Sequence, residues 1–387
     1  MLSDLTSKPI LHCYTWLKDA HGLFDYESNE LINSSSPLGK GGKITRNEEE
    51  HTTTFIPNKQ EESFFLTGSI AVNFNTPSDA IAYFYEDGRK IKLSRNIEKE
   101  YIYNKTNIVT VQEKLWRLLK QTETKGIKKE YQSNFTYDFI LNDTIRFGRV
   151  QFAVRYIHSP TKCAIVNNIY LPNESPVHSN KKCSLCKKEE KDSDKDPILK
   201  ICQCSDSPFM HLACFKEYVL HSKNFGYKEE KYVNGNLTFI KVYNFVCDIC
   251  NEPYNAIVKR GDKEFNLLPY VKPNPNVNHL VLESLNFLKE GIFTTLIMIF
   301  LFPKKKDEFF LGRGHEATFK VSDISISRVH CRIYLNDNGK ISLDDLGSKF
   351  GTLILLRDDT EVDEIIKKKM KIQIGRSVLW IDDKNDE

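Results

Sequence analysis

Cys183-Ser-Leu-Cys186, Cys202-Gln-Cys204, His211-Leu-Ala-Cys214 and Cys247-Asp-Ile-Cys250 are four ligand pairs in the middle of a 387-residue chain. Each pair is separated by one or two residues, the spacing at which a tight turn brings two side chains to one ion. Zinc takes four N/S ligands in a tetrahedron, and a structural site leaves no position for water. Eight ligands therefore imply two closed zinc (Zn2+) sites. Reduced core cysteines have no reason to fall in such pairs. The segment from Lys187 to Asp196 is too charged to bury much, so metal binding must supply much of the folding energy here.

Beyond this stretch, composition removes several function classes. The 55 basic and 52 acidic residues leave a formal charge of +3, which argues against nonspecific nucleic-acid or membrane-surface partners. Seven of the ten cysteines lie in the cluster, and Cys13, Cys163 and Cys331 are scattered. Paired Cys with His indicate metal in a reducing, intracellular (cytoplasmic or nuclear) compartment. The start, Met1 to Pro9, lacks the apolar core of a secretory signal. Ile292 to Phe302 is an apolar run of eleven residues, against the about twenty of a membrane-spanning helix. It reads as a buried strand. Fully paired ligands leave no open position for a metalloenzyme. No nucleophile with an identifiable base and no phosphate-cradling glycine loop is visible.

The chain reads as mainly β and multidomain. Residues 1–62 are an N-terminal segment whose part from about 28 is a polar linker. Residues 63–157 form a β-rich domain, 158–182 a linker, 183–254 the zinc module, 255–291 a linker with a short helix at Val281 to Lys289, and 292–383 a second β module. Glu86-Asp-Gly88 signals a hairpin. The spacing of Leu115, Leu118 and Leu119 favours a helical turn over a strand. Tyr232-Val-Asn-Gly235 signals a hairpin inserted between Cys214 and Cys247. One repeat stands out: Ile145-Arg-Phe-Gly-Arg-Val-Gln-Phe-Ala-Val154 matches Ile372-Gln-Ile-Gly-Arg-Ser-Val-Leu-Trp-Ile381. Either two amphipathic hairpins coincide by chance, or two copies of one β-sandwich flank the zinc cluster.

The order of four Cys, one His and three Cys, with Cys-x-Cys as the second pair, resembles the RING-variant (RING-CH) zinc finger. Phe209-Met-His211-Leu-Ala-Cys214-Phe-Lys-Glu-Tyr218 and Cys247-Asp-Ile-Cys250-Asn-Glu-Pro-Tyr254 add to the match. The resemblance implies cross-bracing: Cys183, Cys186, His211 and Cys214 on one zinc, and Cys202, Cys204, Cys247 and Cys250 on the other. The related PHD finger shares the ligand order. The single-residue second spacing argues against it, while Phe245 before the seventh ligand keeps it open. Many RING-variant domains are ubiquitin ligases that position a ubiquitin-conjugating enzyme. Leu185 and Tyr218 match its docking positions, where simple packing around the zinc is the alternative. Two features depart from the family: a gap of 32 residues between Cys214 and Cys247, and Asn251 where many ligases carry a basic residue. A non-enzymatic scaffold is therefore the alternative to a ligase.

In the last module, Gly312-Arg313, Ser327-Arg328-Val-His330 and Ser348-Lys349-Phe-Gly351-Thr352 follow in order. Polar tips on three turns can converge on one anion, and charge-assisted bonds to phosphate are strong. This order resembles the forkhead-associated (FHA) domain, a phosphothreonine-binding β-sandwich. The resemblance implies a threonine-phosphorylated protein partner. Arg313 and Ser327 would bind phosphate, Arg328 and Lys349 would adjoin it, and His330, Gly351 and Thr352 would shape the loops. Phe350 stands where FHA domains usually carry an Asn that bonds the peptide backbone, and Thr318 where an acid is common. The N-terminal β-rich region lacks these motifs. An FHA-like sandwich there would be degenerate, without the phosphate pocket.

Overall fold

The computed structural model describes residues 9–382 except 18–22, 40–41, 48–51, 58–79, 88–89, 96–113, 120–135, 159–172, 175–181, 224, 253, 255–256, 262, 269–275, 286–287, 290–291, 305–306 and 357–358. Strands dominate. The largest sheet is antiparallel and runs, neighbour to neighbour, Gly226–Tyr232, Leu237–Tyr243, Ile292–Phe302, Asn278–Leu285, Val150–His158, Thr144–Phe147, Thr352–Leu355, Leu115–Leu118, Lys371–Ile374, Ser377–Asp382, Ile10–Trp16 and Leu31–Pro37. Two five-stranded sheets cover its two halves. One is Phe319–Lys320, Glu308–Gly312, Cys331–Leu335, Ile341–Asp345 and Tyr137–Asp138. The other is Thr52–Pro57, Gly42–Asn47, Ala80–Asp87, Lys90–Arg95 and Thr360–Glu361.

These are two sandwiches with the same strand order, joined edge to edge where Thr352–Leu355 pairs with Leu115–Leu118. Each is completed by the other half of the chain. Described strands between Ile10 and Leu118 build most of the first, but its last three strands are Thr360–Glu361, Lys371–Ile374 and Ser377–Asp382. Residues 278–355 build most of the second, but Tyr137–Asp138, Thr144–Phe147 and Val150–His158 finish it. The repeated motifs are the exchanged hairpins. Both turn on a glycine with positive φ, Gly148 at 57° and Gly375 at 54°, a conformation open to glycine. Their registers match: Ile145 faces Phe152 as Ile372 faces Leu379. The expected boundaries at 157/158 and 291/292 thus do not divide the hydrogen-bonded sheet.

Burial follows the exchange. Ile145, Phe147, Phe152 and Val154 share a core with Phe309, Leu311, Ile333 and Leu343. Ile372, Ile374, Leu379 and Ile381 share another with Leu11, Ile44, Phe84 and Leu93.

The cysteine-rich module packs on the outer face of the large sheet. Its hairpin pairs Gly226–Tyr232 with Leu237–Tyr243 around residues 233–235, as Tyr232-Val-Asn-Gly235 signalled. Leu237–Tyr243 then pairs with Ile292–Phe302. Alternate residues of that strand face opposite cores: Leu296, Met298, Phe300 and Phe302 point into the sandwich, while Ile297 and Ile299 join Phe215, Val219, Ile240 and Val242 of the cysteine-rich module. A strand buried on both faces reads as a continuous apolar run. No helix among the described residues is long and apolar enough to cross a membrane.

Three local expectations are corrected. The linker from 28 to 62 contains the strands Leu31–Pro37, Gly42–Asn47 and Thr52–Pro57; its Ser-rich part is an edge strand, where polar side chains alternate outward. The helical turn near Leu115 is the strand Leu115–Leu118, hydrogen-bonded on both sides. The short helix from Val281 is instead the strand Asn278–Leu285, buried on both faces, so 255–291 is not a linker. The hairpin signalled by Glu86-Asp-Gly88 forms from Ala80–Asp87 and Lys90–Arg95; its turn lies outside the described residues.

Candidate metal centres and anion pocket

Cys183, Cys186, His211 and Cys214 place their ligand atoms within 4.8 Å of one another, as do Cys202, Cys204, Cys247 and Cys250. The groups interleave along the chain in the cross-braced order. Zn–S bonds of about 2.3 Å and Zn–N bonds of about 2.0 Å give tetrahedral edges of roughly 3.5–3.8 Å. The observed edges bracket this: Cys186 Sγ to His211 Nδ1 is 3.3 Å and Cys214 Sγ to His211 Nδ1 3.9 Å. Cys202 Sγ to Cys250 Sγ is 3.5 Å and Cys204 Sγ to Cys247 Sγ 3.9 Å. His211 Nε2 lies 3.2 Å from the Glu189 carbonyl. Donation there fixes the tautomer that leaves Nδ1 for a metal. Both groups could hold a metal ion, and the donor set is consistent with zinc.

Electrostatics agree. Burial pushes the Cys183 thiol up, but backbone N–H groups of Cys186, His211 and Leu185 outweigh it and bring it down to about 6. Cys247 is likewise lowered to about 7, its burial outweighed by the N–H groups of Cys250 and Ile249. Burial and neighbouring sulfurs push Cys202 and Cys214 up to about 12. Once the first thiolates form, the remaining thiols need a cation to ionise.

The two knuckles are alike in detail. The Lys187 N–H donates to the Cys183 carbonyl, and Asn251 N–H to the Cys247 carbonyl. Lys187 and Asn251 both have positive φ, 62° and 59°. Asn tolerates that conformation well, which gives Asn251 a structural reason. Leu185 and Ile249 hold the same place in each knuckle and are 49% and 50% exposed. Sequence reading singled out Leu185 but not Ile249, although the matched spacing was the signal. Tyr218 is half-buried against Phe215 and Phe225, and its hydroxyl donates to Asp248 at 2.8 Å.

The second constellation sits on three loops of the sandwich completed by the Val150–His158 hairpin. Gly312 is required because a Cβ there would lie 2.0 Å from the Arg328 carbonyl. At this crossing Arg313 N–H donates to Ser327 O at 3.0 Å and Gly314 N–H to Arg328 O at 2.9 Å. Lys349 N–H donates to Ser327 Oγ at 3.0 Å, which ties in the third loop. His330 is fully buried. Its Nδ1 accepts from Ser327 N–H at 3.1 Å, so its Nε2 donates to Gly351 O at 3.2 Å. It therefore braces two loops from within. Thr352 and Ser348 hydroxyls donate to Asp345. Thr318 Oγ1 accepts from Phe310 N–H, a bond between strand and loop. Arg313, Arg328 and Lys349 are exposed around half-buried Ser327.

Sequence reading missed what the N-terminal half contributes. The exchanged turn donates Arg149 N–H to Ser325 Oγ at 2.8 Å, and Arg149 pairs with Asp323 at 3.3 Å, bracing the loop that carries Ser327. Phe350 packs with Trp16, Leu23 and Phe24, contacts that an amide at this position would not make. No curated protein and no solved structure matches the chain. The family model for the FHA domain matches residues 309–375, so the loops that bear Arg313, Ser327 and Lys349 are those of an FHA domain.

Proposed function

We propose that this chain is a phosphothreonine-dependent adaptor built around two zinc-held knuckles. The convergence of the Arg313, Ser327 and Lys349 loops, stitched by backbone bonds and braced by His330, carries the reading. Arg313 and Arg328 offer charge to a phosphate, and the Ser327 hydroxyl a further donor. His330, Gly351 and Thr352 act on loop shape. The N-terminal sandwich, equal in strand order but without the motifs, is taken as a degenerate copy that completes the pocket's scaffold. A phosphothreonine-peptide library should yield binders that the unphosphorylated peptides do not match. Arg313→Ala should abolish binding; unchanged binding sinks the pocket assignment. Metal analysis should give about two zinc ions per chain.

A second reading adds recruitment of a ubiquitin-conjugating enzyme, in keeping with the RING-variant resemblance. It is favoured by Leu185 and Ile249, two exposed aliphatic side chains at the same place in the two knuckles. A ubiquitin discharge assay against a panel of conjugating enzymes separates it from a scaffold. Stimulation lost in Leu185→Ala supports recruitment, and silence from zinc-loaded protein favours the scaffold.

A further inference from the structure

Residues 23–27, which precede Leu31–Pro37 of the N-terminal sandwich, reach the anion pocket of the other. Asp25 Oδ2 lies 3.0 Å from Lys349 Nζ. Asp25 is only 8% exposed, and its Oδ1 accepts the Glu27 N–H at 3.0 Å, so the carboxylate is held in place. Its neighbour Tyr26 fills the space beside Gly351, where a Cβ would meet the ring at 3.0 Å. The Tyr26 hydroxyl donates to Gln373 Oε1 at 2.7 Å. On the other side, Leu23 and Phe24 bury against Trp16, Val378 and Phe350. This segment is built into the pocket wall.

We propose that Asp25 is a resident carboxylate that competes with the incoming phosphate for Lys349 and sets the affinity of the site. The inference rests on the phosphopeptide reading above. Lys349 shares a loop with Phe350 and its backbone bonds Ser327, so its ammonium is the pocket cation already committed. A dianion arriving there must share Lys349 and tolerate a nearby like charge, and both lower affinity.

The test uses full-length zinc-loaded protein, phosphothreonine peptides and isothermal calorimetry, with circular dichroism to confirm folding. Asp25→Asn keeps an oxygen for the Glu27 N–H while removing the charge. It should bind about three- to tenfold tighter. Lys349→Gln should weaken binding more in the Asp25→Asn background than in the native chain, a coupling that a purely structural Asp25 would not produce. Equal or weaker binding by folded Asp25→Asn overturns the inference; if Arg313→Ala still abolishes binding, the phosphopeptide reading survives alone. Binding by Asp25→Asn where the native chain shows none supports the inference in its strongest form. No binding by either form overturns both.

Discussion

The two sandwiches share a strand order and differ in how one pair of strands runs. In the N-terminal one, Gly42–Asn47 and Thr52–Pro57 pair antiparallel. In the C-terminal one, the counterparts Glu308–Gly312 and Phe319–Lys320 pair parallel. An antiparallel pair closes through a simple hairpin, whereas a parallel pair needs a connection that crosses back. That crossing lifts residues 313–318 over the neighbouring loop and carries Arg313 to Ser327. The N-terminal copy has neither the crossing nor the motif residues. What it keeps is the ability to exchange hairpins, and its loops now serve the other copy's pocket. One sandwich carries the FHA motif loops and the other packs against them.

Zinc removal should produce the largest effect. The hairpin Gly226–Tyr243 is anchored between Cys214 and Cys247 and extends only the C-terminal sandwich, where Phe239 meets Phe319 edge-on at 4.6 Å. Structural zinc contributes on the order of 10 kcal/mol to such modules. Chelation should lower the melting temperature and strip amide-exchange protection from Ile292–Phe302 before Ile10–Trp16. Equal loss in both sandwiches breaks the claim that the module is fused to one of them.

Hairpin exchange is tested by cavities at equivalent positions. Phe152→Ala and Leu379→Ala should each cost about 2–5 kcal/mol, read by chemical denaturation. Their local signatures should cross over. Phe152→Ala should lower exchange protection in Phe309 to Leu343 and weaken phosphopeptide binding, although it lies far upstream of the FHA match. Leu379→Ala should act on Leu11 to Leu93. Protection lost in each variant's own half means that the hairpins are not exchanged.

This crossover explains what could be read from the sequence and what could not. Metal ligands are legible because their chemistry is local, and a pair spaced by one or two residues declares itself. The repeated hairpin is legible for the same reason. Which sandwich each hairpin enters is not, because Ile145 to Val154 and Ile372 to Ile381 carry the same apolar alternation and suit either core. Val281 to Lys289 looked helical because a strand buried on both faces loses its period of two. Asp25 beside Lys349 joins residues far apart in sequence through a loop that carries no motif of its own.

The turns of the two hairpins offer a finer comparison. Both Gly148→Ala and Gly375→Ala force a side chain into positive φ, costing about 1 kcal/mol. At Gly148 the new Cβ would also strike Ser325, 2.3 Å from its Oγ. Gly148→Ala should therefore weaken phosphopeptide binding several-fold, and Gly375→Ala should leave affinity near native. Equal affinity loss in both removes the turn's role in bracing the pocket loop.

The smallest effects concern the ion pairs that pin each exchanged edge strand. Lys340 Nζ lies 2.7 Å from Asp138, and Lys90 Nζ 2.8 Å from Glu361, at equivalent places in the two copies. Both are half-exposed, so Lys340→Met and Lys90→Met should each cost less than about 1 kcal/mol and less still at high salt. Burial raises the Asp138 pKa, but bonds from Lys340 and Ser342 outweigh it and hold the carboxyl below its ordinary value. A depressed folded pKa means the contribution is complete above the unfolded value of about 3.9 and disappears as pH falls through the folded one. Asp138→Asn should therefore flatten the acid limb of stability in the C-terminal sandwich, measured by denaturant midpoints between about pH 5 and pH 2. A steeper acid limb in the variant would mean that Asp138 is not the group that senses the acid, and the pinning of that strand would then rest on its backbone pairing with Ser342 and Leu343.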